Sequence, residues 1–237
     1  MGVPNLFNLP NISKNNRTDI NLVEGDIAIP ADKNRIAFTQ HGPWPNGIVP
    51  YELHGYFSAS HKTMITNGMK KISELTNNCI RFVDRGSNRV WLNIYPGQGC
   101  WSYMGKTKTS GAQDFSLELP GCIDRGVILH EILHALGFAH EQTRPDRDHY
   151  VRINRQNILS GQEHNFDRYT ASQVNMFGTA YDYASIMHYR TDAFSRNGQP
   201  TIQAIYPGYE GWDAQMGRGS DLSAQDLVKL KKYYNCP

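Results

Sequence analysis

The segment HEILHALGFAHE (residues 130–141) places three histidines, His130, His134 and His140, at a spacing that suits one metal ion. On a helix, His130 and His134 lie about 6 Å apart along the axis and on the same face. Gly137 can adopt a positive φ, end the helix and turn the chain so that His140 reaches the same point. Three neutral imidazoles suit zinc and leave one coordination position open for water. The segment therefore predicts a site for one zinc ion.

Glu131 directly follows the first of these histidines and is expected to lie beside the open coordination position. A carboxylate there can accept a proton from a zinc-activated water and pass it to a leaving amine, which is the chemistry of amide hydrolysis. A structural zinc site has no use for a base and usually closes its fourth position with a protein ligand. The sequence therefore predicts a metallopeptidase with Glu131 as general base, and a zinc-bearing interaction protein without catalysis is the alternative.

The composition is that of an ordinary globular protein. The chain has 237 residues, of which 39% are hydrophobic, and its net charge of +2 comes from interspersed acids and bases. This charge pattern gives no basic face for nucleic acid or a membrane, and no apolar run approaches the roughly 18 residues that span a bilayer. The first residues lack the basic-then-apolar pattern of a secretory signal. The sequence therefore leaves open whether Met1 replaced a secretory signal or the protein uses an unusual export route.

Cysteine usage indicates an oxidising compartment. The four cysteines, Cys79, Cys100, Cys122 and Cys236, include no CxxC pair or other zinc-knuckle spacing, so disulfides are favoured over a cysteine metal site. Four cysteines allow three pairings, and four buried thiols are the alternative.

Residues 1–34 differ in composition from the rest of the chain. They are rich in Asn, carry N-x-S/T sequons at Asn11 and Asn16, and are predicted to form an extended arm. Residues 35–237 are predicted to form one globular domain. Helices are predicted within residues 58–78, over 123–137 and after Ser223, and strands after residue 47 and over 80–84 and 89–95.

The motif HExxHxxGxxHE resembles that of the astacin family of metzincin zinc endopeptidases. The segments GCWSYMG (99–105), SGAQ (110–113), HEQTRPDRDHYV (140–151) and YDYASIMHY (181–189) also resemble astacin segments in the same order. The resemblance covers roughly residues 23–236. It implies an α+β fold of two subdomains flanking a cleft, with a twisted sheet and two long helices above and an irregular half with a C-terminal helix below.

The resemblance also implies roles for residues that the motif alone does not identify. Met187 would form the Met-turn beneath the zinc, and Tyr189 would be a fifth ligand that swings away and stabilises the oxyanion; plain core packing is the alternative for both. Glu141 would lie buried near the amino terminus released by propeptide cleavage. The alternative for Glu141 is a surface acid paired with Arg144 or Arg147. Glu141 and Tyr189 disfavour other metzincins such as matrixins or adamalysins.

The family's disulfide pattern pairs Cys79 with Cys236 and Cys100 with Cys122. The rim of the cleft would then be an edge strand to which an extended substrate peptide adds by backbone hydrogen bonds. Its substrate-binding residues would be Cys100, Trp101, Ser102 and Tyr103. MGRG (216–219) resembles a segment that places an arginine in the S1′ pocket, so Arg218 would favour an acidic residue after the scissile bond; a surface arginine is the alternative.

The segment VEGD (23–26) resembles the family's F-x-G-D latency motif, with Val23 where the family usually has Phe. Asp26 would occupy the zinc position meant for water, and a solvated acidic turn is the alternative. We therefore expect a secreted, monomeric zymogen that acts on protein or peptide substrates. An activating protease would cleave between Lys33 and Ile36, after Lys33 or Arg35.

Overall fold

The computed structural model describes residues 20–30 and 42–237. The two sequons at Asn11 and Asn16 and the predicted cleavage sites at Lys33 and Arg35 lie outside the described residues.

Nine strands and three α-helices follow one another along the described part of the chain. The strands are β1 (Ile20–Val23), β2 (Ile27–Pro30), β3 (Ile48–Leu53), β4 (Arg81–Asp84), β5 (Val90–Tyr95), β6 (Cys100–Tyr103), β7 (Gly111–Leu117), β8 (Val151–Ile153) and β9 (Ile202–Ala204). The helices are α1 (Ala59–Leu75), α2 (Arg125–Ala135) and α3 (Ala224–Tyr233). Short 3₁₀ turns are Pro45–Gly47, Glu141–Thr143, Arg147–His149, Arg155–Asn157, Glu163–Phe166 and Glu210–Ala214.

A mixed sheet of seven strands, in the order β1-β2-β6-β7-β5-β3-β4, forms the upper half. Strands β4, β3, β5 and β7 run parallel, β6 is antiparallel to β7, and β2 is parallel to β6. Helices α1 and α2 pack with this sheet around the main apolar core. The lower half is irregular, contains the two-stranded β8-β9 sheet and has a second core rich in tyrosine and phenylalanine.

Helix α1 begins at the N-cap Ser58, whose side chain accepts a hydrogen bond from the backbone of His61. Gly68 lies inside this helix without breaking it. A Cβ at Gly68 would lie 2.8 Å from Cγ2 of Ile128, so the glycine lets α1 approach α2 closely. This contact positions α2, which carries the first half of the predicted metal motif.

Helix α3 begins with the capping box that the sequence predicts, formed by Ser223 and Asp226. Disulfide Cys79–Cys236 ties the end of this helix to the upper half, and disulfide Cys100–Cys122 closes a smaller loop beside β6. These are the two pairings that the resemblance implies, and all four cysteines of the chain are in them. The α+β class is confirmed.

Residues 20–30 differ from the predicted extended arm because they form a hairpin that belongs to the sheet. Glu24 and Gly25, at φ values of 52° and 83°, make the turn between β1 and β2. Strand β2 satisfies the backbone groups of the β6 edge, and its buried residues Ile27 and Ile29 pack against Met104. Backbone pairing and apolar burial thus hold this segment on the sheet. None of the helices in the described ranges is both long and apolar enough to cross a bilayer.

Candidate metal centre

Helix α2 carries His130, Glu131 and His134 into the interior. The side chain of Asp124 caps the helix by accepting a hydrogen bond of 2.8 Å from the backbone of Gly126. Every residue after Arg125 in this helix is buried, which is the pattern of a helix surrounded by protein on all sides. The sequence therefore places two imidazoles and one carboxylate in a dry environment.

Gly137 ends this helix in the way the sequence predicts. Its backbone N–H donates to the carbonyl of His134 (2.8 Å), and the N–H of Phe138 donates to the carbonyl of Leu133 (3.0 Å). This pair of hydrogen bonds is a Schellman motif, and the φ of 110° at Gly137 permits it. The chain then turns back and brings His140 to the other two imidazoles.

The three imidazoles face one point. The Nε2 atoms of His130 and His140 lie 3.3 Å apart, and the rings of His130 and His134 have centroids 4.7 Å apart. Each Nδ1 atom lies within hydrogen-bond distance of an oxygen. Nδ1 of His130 is 2.8 Å from the carbonyl of Ile186, and Nδ1 of His134 is 2.7 Å from the carbonyl of Phe138. Nδ1 of His140 is 2.8 Å from Oε2 of Glu24. Such acceptors keep the proton on Nδ1 and leave the Nε2 lone pair for a metal ion.

The carboxylate of Asp26 completes the group. Its Oδ2 lies 3.2 Å from Nε2 of His130 and 3.4 Å from Nε2 of His140, and its Oδ1 lies 3.4 Å from Nε2 of His134. All four residues are buried, and their ligand atoms lie within 4.8 Å of one another. Ligands bound tetrahedrally to zinc at about 2.0–2.1 Å are about 3.3–3.4 Å apart, which matches these separations.

Orphaned polar atoms mark the same point. Six buried side-chain atoms of the described residues have no hydrogen-bond partner, and three of them belong to Asp26 (Oδ1), His134 (Nε2) and Glu131 (Oε2). Buried polar atoms are normally paired, so unpaired donors and acceptors around one point require an explanation. A bound cation would satisfy Asp26 Oδ1 and His134 Nε2, and the donor set of three imidazoles and one carboxylate fits zinc.

In the metal-free chain, the pKa values of the two carboxylates Asp26 and Glu131 are shifted in opposite directions. Burial, together with the negative charge of Asp26, raises the pKa of Glu131 well above its ordinary value. Burial acts in the same direction on Asp26, but the three histidines outweigh it and hold the pKa of Asp26 well below its ordinary value. Asp26 is thus the anion of the group, and Glu131 is the carboxylate that favours holding a proton.

The imidazoles of His134 and His140 differ in their pKa values. Burial lowers the pKa of His134 to about 4, which keeps this ring neutral. Burial also acts to lower the pKa of His140, but the charges of Asp26 and Glu24 outweigh it and raise that pKa to about 9. Without a metal ion, protonated His140 therefore balances the buried acids of the hairpin.

Tyr189 is fully buried, and its ring centroid lies 4.6 Å from that of His140. Its hydroxyl donates a hydrogen bond to the backbone carbonyl of Glu24. Met187, two residues earlier, is buried in the main core, and its carbonyl accepts a hydrogen bond of 2.9 Å from the backbone of Glu141. Both residues therefore lie next to the third histidine, and their roles in the reaction stay predictions.

Glu141 is buried, so the alternative of a surface acid is wrong. Its Oε1 accepts hydrogen bonds from Arg144 (3.0 Å) and the backbone of Asp182 (2.9 Å), and its Oε2 accepts one of 2.5 Å from Lys229. Arg147, the other partner considered from sequence, donates to the carbonyl of Gln142 instead. Burial raises the pKa of Glu141, and the positive charges of Lys229 and Arg144 act against that rise. A cavity of about 620 Å³ is lined by Glu141 and Lys229.

Strand β2 covers the predicted substrate-binding edge. Ile27 lies opposite Ser102, and the Ser102 N–H donates a hydrogen bond of 3.0 Å to the carbonyl of Asp26. Trp101 and Tyr103 are buried on the same face of β6, with their rings edge to face at 6.3 Å. Cys100 begins β6.

Arg218 is the predicted site residue that lies at the surface. It is exposed and follows Gly217, whose φ is 67° and whose missing Cβ would lie 2.3 Å from the backbone nitrogen of Arg190. The loop therefore packs on the residue directly after Tyr189. No described contact joins the guanidinium of Arg218 to the histidines.

Sequence reasoning missed three residues of the site: Glu24, Tyr169 and Lys229. Glu24 lies inside the quoted VEGD segment, at the position that the latency motif leaves variable. Tyr169 and Lys229 lie in segments that carry no motif. Only long-range contacts identify them.

Comparison with known proteins gives consistent matches. The family model described as Astacin, a peptidase family, matches residues 37–235. Low choriolytic enzyme from Oryzias latipes is 40% identical over 230 residues, which cover 94% of this chain and 81% of that protein. Zinc metalloproteinase nas-15 from Caenorhabditis elegans is 41% identical over 208 residues, or 87% of this chain. The chain spans 34% of the length of that relative and 60% of the length of nas-6 from the same organism.

A solved structure also resembles the fold. High choriolytic enzyme 1, a hatching enzyme zinc-protease from Oryzias latipes, superposes with a TM-score of 0.74 at 35% identity. The match covers 86% of this chain and 98% of that one.

Proposed function

This chain belongs to the astacin family of zinc metallopeptidases, and we propose that it hydrolyses internal bonds of protein or peptide substrates. We propose further that residues 1–34 are a propeptide that holds residues 35–237, the catalytic domain, latent. One observation carries both parts: three imidazole nitrogens and one carboxylate of Asp26 surround a single point, and Glu131, whose Oε2 is unpaired, directly follows the first of these histidines.

The cofactor is one zinc ion, and His130, His134 and His140 would hold it. Bound there, zinc would supply Lewis acidity, which lowers the pKa of water and polarises the scissile carbonyl. Glu131 supplies the base, because its Oε2 has no other partner and faces no neighbouring cation in the described contacts. Glu131 would accept a proton from the attacking water and then deliver it to the leaving amine.

Substrate orientation would come from β6 and Tyr189. An extended peptide would replace β2 along Cys100–Tyr103, and the backbone groups of Ser102 would fix its register. The Tyr189 hydroxyl would then donate to the oxygen that becomes negatively charged in the transition state. In the mature enzyme without substrate, the same hydroxyl would be the fifth zinc ligand, above the Met-turn at Met187.

Latency would follow from two blocked positions. Asp26 lies where the attacking water would approach the three histidines, with its oxygens 3.2–3.4 Å from their Nε2 atoms. Strand β2 fills the edge of β6 on which substrate would add. Removal of the hairpin would free both positions at once.

Activation would be a cut by another protease between Lys33 and Ile36. The new amino terminus would enter the cavity of about 620 Å³ that leads to Glu141. Glu141 already has Lys229 and Arg144 as cationic partners, so an incoming amine would add to an existing buried network. Arg218 would favour an acidic residue just after the scissile bond by charge-assisted pairing.

The two disulfides favour a secreted protein, since disulfides persist in oxidising compartments. We propose that the protein acts outside the cell as a monomer. The choriolytic enzymes of Oryzias latipes are named for their own substrates, and those names do not define the substrate of this chain.

Peptide-library hydrolysis by the uncut and the trimmed protein, with and without a chelator, tests this proposal. We expect the uncut chain to have less than about a hundredth of the trimmed activity, and the chelator to abolish both. Equal rates before and after trimming would show that residues 1–34 do not confer latency. Chelator-resistant hydrolysis would show that the three histidines do not carry the reaction.

A further inference from the structure

Glu24 is the most unusual residue of the hairpin. It is fully buried, and its φ of 52° lies in the left-handed region that a residue with a side chain rarely adopts. A buried carboxylate costs free energy unless it is paired, and a left-handed backbone adds strain. Specific contacts must compensate both costs for the turn to persist.

Both carboxylate oxygens of Glu24 have partners on the catalytic domain. Oε2 lies 2.8 Å from Nδ1 of His140, and Oε1 accepts a hydrogen bond of 2.6 Å from the hydroxyl of Tyr169. The backbone carbonyl of Glu24 accepts from Tyr189. One residue of the hairpin thus contacts three residues that border the metal group.

Tyr169 is held firmly enough to act as an anchor. Its backbone N–H donates a hydrogen bond of 2.8 Å to the carbonyl of Thr143, and its ring is buried against Ile27, Ile29 and Met104. The Thr143 hydrogen bond and the contact with Met104 come from the catalytic domain, whereas Ile27 and Ile29 belong to the hairpin itself. The domain thus holds the backbone of Tyr169, and the docked hairpin completes the burial of its ring beside Glu24.

Val23 is the apolar neighbour of Glu24 in the turn and is only partly buried. A valine side chain offers less apolar area than a large aromatic one, and so gives a weaker hold on the domain. Glu24, by contrast, is entirely buried and has a partner on each oxygen. The polar contacts of Glu24 therefore carry much of the side-chain anchoring at this end of the hairpin.

We propose that Glu24, His140 and Tyr169 form a clamp that holds the hairpin on the catalytic domain, independently of the bond between Asp26 and the metal ion. This inference rests on the proposed latency and names a second lock within it. The clamp uses Nδ1 of His140, the ring nitrogen that a metal bound at Nε2 leaves free. It therefore acts in the metal-free and in the zinc-loaded protein.

Hydrogen exchange of the backbone amides of residues 21–29 tests the clamp in the full uncut chain, both metal-free and zinc-loaded. Glu24→Gln removes the negative charge and replaces one of the two acceptor oxygens by an NH2 group, so only one of the two hydrogen bonds that Glu24 accepts can persist. We expect exchange of these amides to become about tenfold faster in both metal states, the size that losing one charged hydrogen bond gives. Asn21→Ala, an exposed change on the same hairpin, is the matched control and should leave exchange unchanged.

Tyr169→Phe removes the second partner from the domain side, and it should speed exchange of the same amides even if Glu24→Gln folds poorly. The Glu24→Gln chain should also show about tenfold higher hydrolysis before cleavage. After cleavage it has the same sequence as the trimmed wild type, so equal activity then shows that the catalytic domain is intact. A latent wild-type chain in which neither substitution changes exchange by twofold would overturn the clamp alone. An uncut wild-type chain as active as the trimmed one would overturn the proposed latency instead.

Discussion

The hydroxyl of Tyr189 donates a hydrogen bond to the backbone carbonyl of Glu24, 165 residues away in the chain. In the uncut protein, the hydroxyl of Tyr189 therefore has a hydrogen-bond partner on the hairpin. In the proposed activation the hairpin leaves, and the hydroxyl then loses that acceptor beside the ring of His140. We propose that the freed phenol then donates to the oxyanion of the reaction.

Substitution Tyr189→Phe tests the oxyanion role in the trimmed enzyme. We expect kcat to fall about a hundredfold with little change in KM, because one preorganised donor to the transition state is lost. Steady-state kinetics on one peptide substrate measures both constants. Tyr206→Phe changes an exposed tyrosine of the lower half and serves as the control. Unchanged kcat in Tyr189→Phe would show that this residue only packs in the core.

Glu131→Gln tests the general base. The amide has nearly the shape of the carboxylate but cannot accept the proton, so hydrolysis should fall by about a thousandfold or more. Zinc content, measured by atomic emission on the purified protein, should stay the same, since Glu131 is not one of the metal ligands. Turnover at the wild-type rate would assign the base to another group.

Gly137→Ala tests the bend that delivers the third histidine. The new Cβ would lie 2.8 Å from Cε1 of Tyr233, and the φ of 110° is unfavourable for alanine. We expect the free energy of unfolding to fall by about 2 kcal/mol or more, as measured by urea denaturation. Gly55→Ala, where a Cβ meets nothing within 4 Å, is the control and should change stability by less than about 0.5 kcal/mol. Equal stability of the two variants would show that the bend tolerates a side chain.

Local sequence signals predicted much of the fold and of the metal group. The three helices and strands β3, β4 and β5 follow from apolar spacing and from caps such as Ser223 and Asp226, because these depend on neighbours within a few residues. The convergence of the three imidazoles follows from helical geometry and one glycine.

Contacts between distant segments could not be predicted in this way. One partner of Glu141 is Lys229, 88 residues away, and the partner of His140 Nδ1 is Glu24, 116 residues away. No periodicity links such pairs, and the insertion of β2 beside β6 depends on an open strand edge that only the folded sheet presents. The pairing of the cysteines likewise came from resemblance, because four cysteines by themselves leave three choices.

Zinc content per folded chain tests the central claim most directly. The metal-depleted uncut protein is given zinc, freed of excess ion by gel filtration and analysed beside His134→Ala prepared in the same way. We predict one zinc ion per wild-type chain and a large loss in His134→Ala, with near-native circular dichroism in both. Folded wild-type protein that holds no zinc, or His134→Ala that retains a full equivalent, would contradict the account.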